Sequence, residues 1–151
     1  MEIVENKTEY LNDFIRLNEE WITSFFQLED TDRKLAENPK KIIDDGGYIY
    51  SLLTNDEVVG VCALFNEGNS VYELARMAVS PKHQGKGYGD KLLNACLSKA
   101  KEIKANKVYL VSNTQLEAAI ALYRKHNFKT VNKEQHPIYS RANITMVHNA
   151  S

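Results

Sequence analysis

Cysteine is scarce: Cys62 and Cys96 are the two in 151 residues. Two cannot staple a disulfide framework, neither belongs to a CxxC pair, and no His/Cys cluster has zinc-ligand spacing. Each sits in an apolar run and reads as a small buried thiol, so no metal is expected. Long apolar runs are missing too: none approaches the roughly 20 residues that cross a bilayer. The first residues, MEIVENKTEY, lack the basic and apolar regions of a signal peptide. These absences point to a reduced, cytoplasmic protein without a membrane partner. Charge of one sign is not in excess either, since 19 Lys and Arg against 20 Asp and Glu leave −1. That excludes a strongly basic nucleic-acid footprint. With three prolines, no linker and no repeat, the chain reads as a single domain over residues 1–151.

Hydrophobic spacing supplies the elements. Residues 2–6 read as a short strand, with Thr8 as a helix cap. Leu11, Phe14, Ile15, Ile22 and Phe25 then recur at helical spacing, which predicts a helix over 9–26. A second helix follows Asp30 and stops before Pro39, with Asp30 and Asp32 as cap candidates. Residues 47–80 read as an antiparallel three-strand meander, turning at Asn55-Asp56 and at Glu67-Gly68-Asn69. A helix over about 88–104, a strand over 107–112, a helix around 116–126 and two closing strands, 128–132 and 144–148, complete the order. The predicted fold class is α/β: a mixed central sheet of about seven strands with helices on both faces.

The most informative stretch runs from Glu73 to Asp90. An apolar strand enters KHQGKGYGD, residues 82–90, and that loop opens a helix. Glycine lets backbone N–H groups approach a ligand, and the first helical turn adds unpaired N–H donors with a partial positive charge. A phosphate or pyrophosphate suits such a place. Neither nucleotide motif fits, since GxxxxGK[ST] is absent and the spacing is GxGxG rather than GxGxxG.

The pattern QxxGxG does fit, as Gln84, Gly87 and Gly89, following Met77-Ala78-Val79-Ser80-Pro81. Here the sequence resembles the GCN5-related N-acetyltransferase (GNAT) superfamily. Residues 118–128, AAIALYRKHNF, resemble that family's AIxLYxKxGF helix, with Asn127 in place of the glycine. Asn tolerates the left-handed backbone that ends helices. Leu116 stands where many members carry a cofactor-touching Asn, and Asn113 is the substitute candidate.

The resemblance implies acetyl transfer from acetyl-CoA to a primary amine by direct attack, without a metal. It assigns cofactor contacts to Met77, Ala78, Val79, Gln84, Gly85, Lys86, Gly87, Tyr88, Gly89, Asp90 and Asn113. A backbone N–H of Met77–Val79 would hold the thioester oxygen, with a bulge near Ala75–Met77 splaying the strand. Lys82, His83 and Lys86 surround the loop. Tyr123 matches the family tyrosine and is the candidate acid for the leaving thiolate, because a phenol is protonated at neutral pH. Glu73 is the candidate base: it shares strand parity with Val71, Ala75, Met77 and Val79, and a carboxylate on that parity faces the active site, is a surface residue at a fraying strand end, or marks a parity-resetting bulge. Arg76 is read as a packing or salt-bridge residue. By analogy the amine pocket comprises the 21–30 connection, the Tyr48–Tyr50 strand and the region near Tyr139. Trp21, Phe25, Phe26 and Glu29 cluster at that connection as an aromatic wall with a carboxylate, with Trp21, Phe25 and Glu29 as the named candidates, set against plain core packing.

Three further readings stay open. The acceptor is a protein N-terminus or lysine rather than a small-molecule amine; the domain is a non-catalytic acyl-CoA sensor; or it binds a nucleotide. Pattern leaves the oligomeric state open, while the resemblance favours a homodimer paired through residues 128–148.

Overall fold

Val58 to Leu64 are buried at every position, as befits a strand at the centre of a sheet covered on both faces. The computed structural model describes residues 1–148 and places this run in the third of seven strands. These are β1 (Glu2–Glu5), β2 (Tyr48–Thr54), β3 (Glu57–Gly68), β4 (Val71–Val79), β5 (Lys107–Ser112), β6 (Phe128–Asn132) and β7 (Ile144–His148). Their order across the sheet is β1-β2-β3-β4-β5-β7-β6. Every neighbouring pair is antiparallel except β4 and β5.

Among the described residues, five α-helices flank the sheet: α1 (Leu11–Phe25), α2 (Asp30–Glu37), α3 (Lys41–Asp44), α4 (Tyr88–Glu102) and α5 (Glu117–Lys125). Leu11, Phe14 and Leu17 of α1 pack on Val61, Ala63 and Ala78. On the opposite face Leu92, Leu93 and Cys96 of α4 and Ile120 of α5 pack on Cys62, Leu74, Leu110 and Met146. The helical crossover from β4 through α4 to β5 explains why that pair alone is parallel.

The turn chemistry follows the sequence with small displacements. Asn55 and Asp56 both take positive φ, 50° and 63°, as a two-residue hairpin turn requires. The next turn falls on Asn69 and Ser70, φ 55° and 60°, one step later than Glu67-Gly68-Asn69. Thr8 is the first residue of a short 3-10 turn ahead of α1 rather than its cap; Lys7 holds the cap position, without a side-chain cap hydrogen bond.

Two irregularities in β4 shape everything downstream. Ala75 pairs with Ala63 and Ala78 pairs with Val61, so Arg76 and Met77 together oppose Cys62. This is a β-bulge, and Arg76 sits at its centre with φ 60°. The bulge corrects the parity expected for Glu73. Phe65, its register partner, packs toward α1 as does Ala78, whereas Met77 and Val79 pack toward α4. Glu73 therefore shares a face with Ala75 and Ala78, not with Met77 and Val79. Secondly, β4 pairs with β5 only from Val71 to Glu73. Beyond that point β5 stays with β7 as far as Ser112 and β4 stays with β3 as far as Val79, so the sheet opens between them.

Candidate active site

A cleft of about 110 Å³ occupies this opening. Glu73 to Met77 of β4 form one wall, Val111, Ser112 and Asn113 another, and Trp21, Ile22 and Phe26 of the α1 end a third. Tyr123 and Leu116 approach from α5, and Tyr139, Arg141 and Ala142 from the β6–β7 connection. Glu73 and Tyr123, the two candidates for moving protons, line the same cavity.

Their surroundings set their chemistry. Burial, reinforced by the nearby charge of Glu67 and opposed by that of Arg76, pushes Glu73 up to about 7. A carboxylate in that range can accept a proton near neutrality and return it. Burial, with a smaller contribution from the Cys62 thiol, pushes the Tyr123 phenol above its ordinary value. It stays protonated across the physiological range and can donate. Its ring meets Phe128 edge-on, 6.1 Å between centroids, which fixes its direction.

The glycine loop lies at the end of β4. Gly85 and Gly87 have φ 80° and 78°, a region that favours glycine, and a Cβ on either would meet no protein atom within 4 Å. Gly87 is the residue before α4, so the Tyr88, Gly89 and Asp90 N–H groups form that helix's unpaired first turn. Gly89 answers to packing instead: a Cβ there would come 3.1 Å from Leu122 Cδ2. His83 stacks on Tyr88 at 6.4 Å and braces the loop, while Lys82, Gln84 and Lys86 are exposed beside it. Open glycines, a helix N-terminus and flanking cations fit the pyrophosphate of a coenzyme A.

Several candidates are placed elsewhere or used otherwise. The Asp90 carboxylate oxygen Oδ1 bonds Lys125 Nζ at 2.9 Å and His126 Nε2 at 2.8 Å, joining α4 to α5. Asn113 donates to the Arg141 carbonyl and accepts from the Gln115 N–H, so its amide shapes the turn before α5. Phe25 is 58 % exposed and does not line the cleft, because it lies on the outer side of α1; its neighbour Phe26 does. The Glu29 carboxylate caps α2 and bonds Arg141 instead of lining the cleft. Tyr48 and Tyr50 pack on the α4 face, and Tyr50 donates to Glu5, so neither reaches the cleft.

Sequence reasoning missed the cluster that closes the cleft. Asp32 is 3 % exposed and accepts from Arg76 at 2.7 Å and from Arg141 at 2.7 Å on each oxygen. Burial alone would raise its pKa, but hydrogen bonds from Arg141 and the Glu29 N–H, with the charge of Arg76, hold it below the ordinary range. The Tyr139 hydroxyl accepts from Arg76 at 2.7 Å. Arg76, read as a packing or salt-bridge residue, does form a salt bridge; its partners Asp32 and Tyr139 lie 44 and 63 residues away, and no local pattern links them.

The acetyltransferase (GNAT) family model matches residues 13–128. The chain belongs to the GNAT acetyltransferase family. It is 29 % identical over 98 residues to the uncharacterized N-acetyltransferase YvbK of Bacillus subtilis, a match covering 63 % of each chain. It is 35 % identical over 81 residues to the uncharacterized protein ML0378 of Mycobacterium leprae, covering 52 % of this chain and 22 % of that one. The match thus spans less than two thirds of either curated relative. Among solved structures, a GNAT-family acetyltransferase from Staphylococcus aureus Mu50 superposes with a TM-score of 0.87, at 20 % identity over 99 % of both chains. The PaiA N-acetyltransferase of Thermoplasma acidophilum, solved in complex with coenzyme A, gives 0.75 at 17 % identity, again over 99 % of both. At those identities the likeness is one of fold. Among the described residues, no helix is long and apolar enough to cross a membrane, and no group of three His, Cys, Asp or Glu side chains could hold a metal ion.

Proposed function

We propose that this GNAT protein transfers the acetyl group of acetyl-CoA to a primary amine of a small molecule by direct attack, in the cytoplasm. The observation that carries the reading is the cleft where β4 leaves β5, lined by a carboxylate poised near 7 and a protonated phenol.

Each residue has a task. The N–H groups of Tyr88, Gly89 and Asp90 with the open faces of Gly85 and Gly87 receive the pyrophosphate, and Gln84 and Lys86 flank it. Backbone N–H groups on the unpaired edge of Met77–Val79 hold the pantetheine arm and the thioester oxygen. Glu73 takes the proton from the ammonium, directly or through a water, so that the neutral nitrogen can bond to the carbonyl carbon. As the carbon–sulfur bond breaks, the Tyr123 hydroxyl gives its proton to the departing thiolate. Trp21 and Phe26 supply an apolar wall for the acceptor.

Mass spectrometry of the chain incubated with acetyl-CoA, an amine panel and a lysine peptide tests this. The reading expects acetylated small amines. Acetyl-CoA bound but never consumed makes the domain a sensor, and preference for the peptide makes it a protein acetyltransferase; either result overturns the proposal.

A further inference from the structure

Three formally charged side chains line the cleft: Glu73, Arg76 and Arg141. Two guanidiniums in a pocket ordinarily mark a place for a carboxylate or phosphate of the substrate. Here both are already matched. The side chains of Arg76 and Asp32 are 8 % and 2 % exposed, and their N–O separation is 2.7 Å. Arg141 reaches Asp32 at 2.7 Å and Glu29 at 3.0 Å. Two cations thus face two anions. The Tyr139 ring lies 5.6 Å from the Arg76 guanidinium carbon and 4.5 Å from that of Arg141, and its hydroxyl takes a further Arg76 donor.

Glu73 is therefore the charged lining residue without a salt-bridge partner among the described residues. Much of the remaining wall is apolar: Trp21, Ile22, Phe26, Phe65, Met77 and Leu116. An acceptor's ammonium has a partner in Glu73. An acceptor's carboxylate has none, and would be desolvated beside Glu73 and two guanidiniums that Asp32 and Glu29 already match.

Resting on the transferase reading above, we propose that the acceptor is an apolar primary amine with no anionic group, and that Asp32 and Glu29 enforce this by neutralising Arg76 and Arg141. Amino acids are then poor acceptors, although their side chains fit the same wall.

Matched pairs test the idea: 2-phenylethylamine against phenylalanine, tyramine against tyrosine, 3-methylbutylamine against leucine. In each, kcat/KM for the amine should exceed that for the amino acid by on the order of 10²-fold, the scale set by leaving a buried polar group unpaired. Glu29→Gln leaves the α2 cap a hydrogen-bonding side chain but removes one anion. It should shrink the ratio by about tenfold, roughly 1.4 kcal/mol, with the KM for acetyl-CoA unchanged. Equal or better rates with the amino acids overturn the inference while leaving the transferase reading intact, and so does a ratio unmoved by a folded Glu29→Gln. No acetylation of any amine, with acetyl-CoA still bound, overturns the transferase reading itself. The wild-type ratios decide the question even where the variant fails to fold.

Discussion

Arg76 and Asp32 meet at 2.7 Å across 44 residues of sequence, one at the centre of a β-bulge and the other in the first turn of α2. The bulge turns Arg76 toward α2 and carries Glu73 onto the same sheet face as α1. A single extra residue in β4 thus sets both the closed end of the cleft and the direction of its carboxylate.

Removing Asp32 should be costly. Asp32→Ala would leave two guanidiniums facing each other in a buried setting, and the loss of one partner of such a network costs about 3–5 kcal/mol. Urea denaturation followed by circular dichroism measures it. A loss under about 1 kcal/mol, the scale of an exposed pair, would show that the cluster is solvated.

Tyr123→Phe keeps the ring contact with Phe128 and removes only the hydroxyl. It should lower kcat by about 10²-fold, the smaller end of acid–base contributions, with the dissociation constant of acetyl-CoA unchanged. Steady-state kinetics beside isothermal titration separates the two. An unchanged kcat removes Tyr123 from the mechanism.

Glu73 gives two pH signatures. As a base it must be ionised, so kcat/KM should rise with pH through about 7 and then level off, and Glu73→Gln should abolish that limb. Its stability effect has the opposite sign. Burial raises the folded pKa to about 7 from the ordinary 4.5, so the folded state holds a proton that the unfolded state has lost across that window. Stability contributed by this group is full below 4.5 and declines as pH rises through 7, by about 3 kcal/mol in all. Glu73→Gln should therefore flatten the fall between pH 5 and about 8 in thermal unfolding. A variant whose stability still falls with the wild-type slope would place the effect elsewhere.

Gly87→Ala places a Cβ on a left-handed backbone at φ 78°, at a cost of about 1–2 kcal/mol. The strain bears on the turn that presents the α4 N–H groups, so acetyl-CoA affinity should weaken by about tenfold. Titration calorimetry reads this directly. Unaltered affinity in the strained variant would mean that the loop does not hold the pyrophosphate.

Most of the fold was legible because its signals are local. The spacing of Leu11, Phe14, Ile15 and Ile22, the Asn55-Asp56 turn and the glycines before α4 each specify an element within a few residues. Glu73 and Tyr123 were legible as candidates for the same reason: each lies inside a recognisable local pattern. The parity of Glu73 was not, because Arg76 is no glycine and nothing near it announces a left-handed bulge. The long-range partners of Glu29, Asp32, Asn113 and Asp90 were not legible, because they lie on distant segments: Arg141 for the first three, Lys125 and His126 for the last; the cap reading of Asp32 holds, since it accepts the Glu29 N–H. Phe25 and Phe26 are adjacent on a helix end, where one residue of rotation decides which ring enters the cleft.

A crystal structure of the chain with coenzyme A bound is the most direct measurement of the central claim. The account predicts the pyrophosphate on the N–H groups of Tyr88 to Asp90, the pantetheine in the gap between β4 and β5, and the sulfur within hydrogen-bonding reach of the Tyr123 hydroxyl. Coenzyme A lying outside that gap, or β4 zipped onto β5 beyond Glu73 with the sulfur remote from Tyr123, would contradict it.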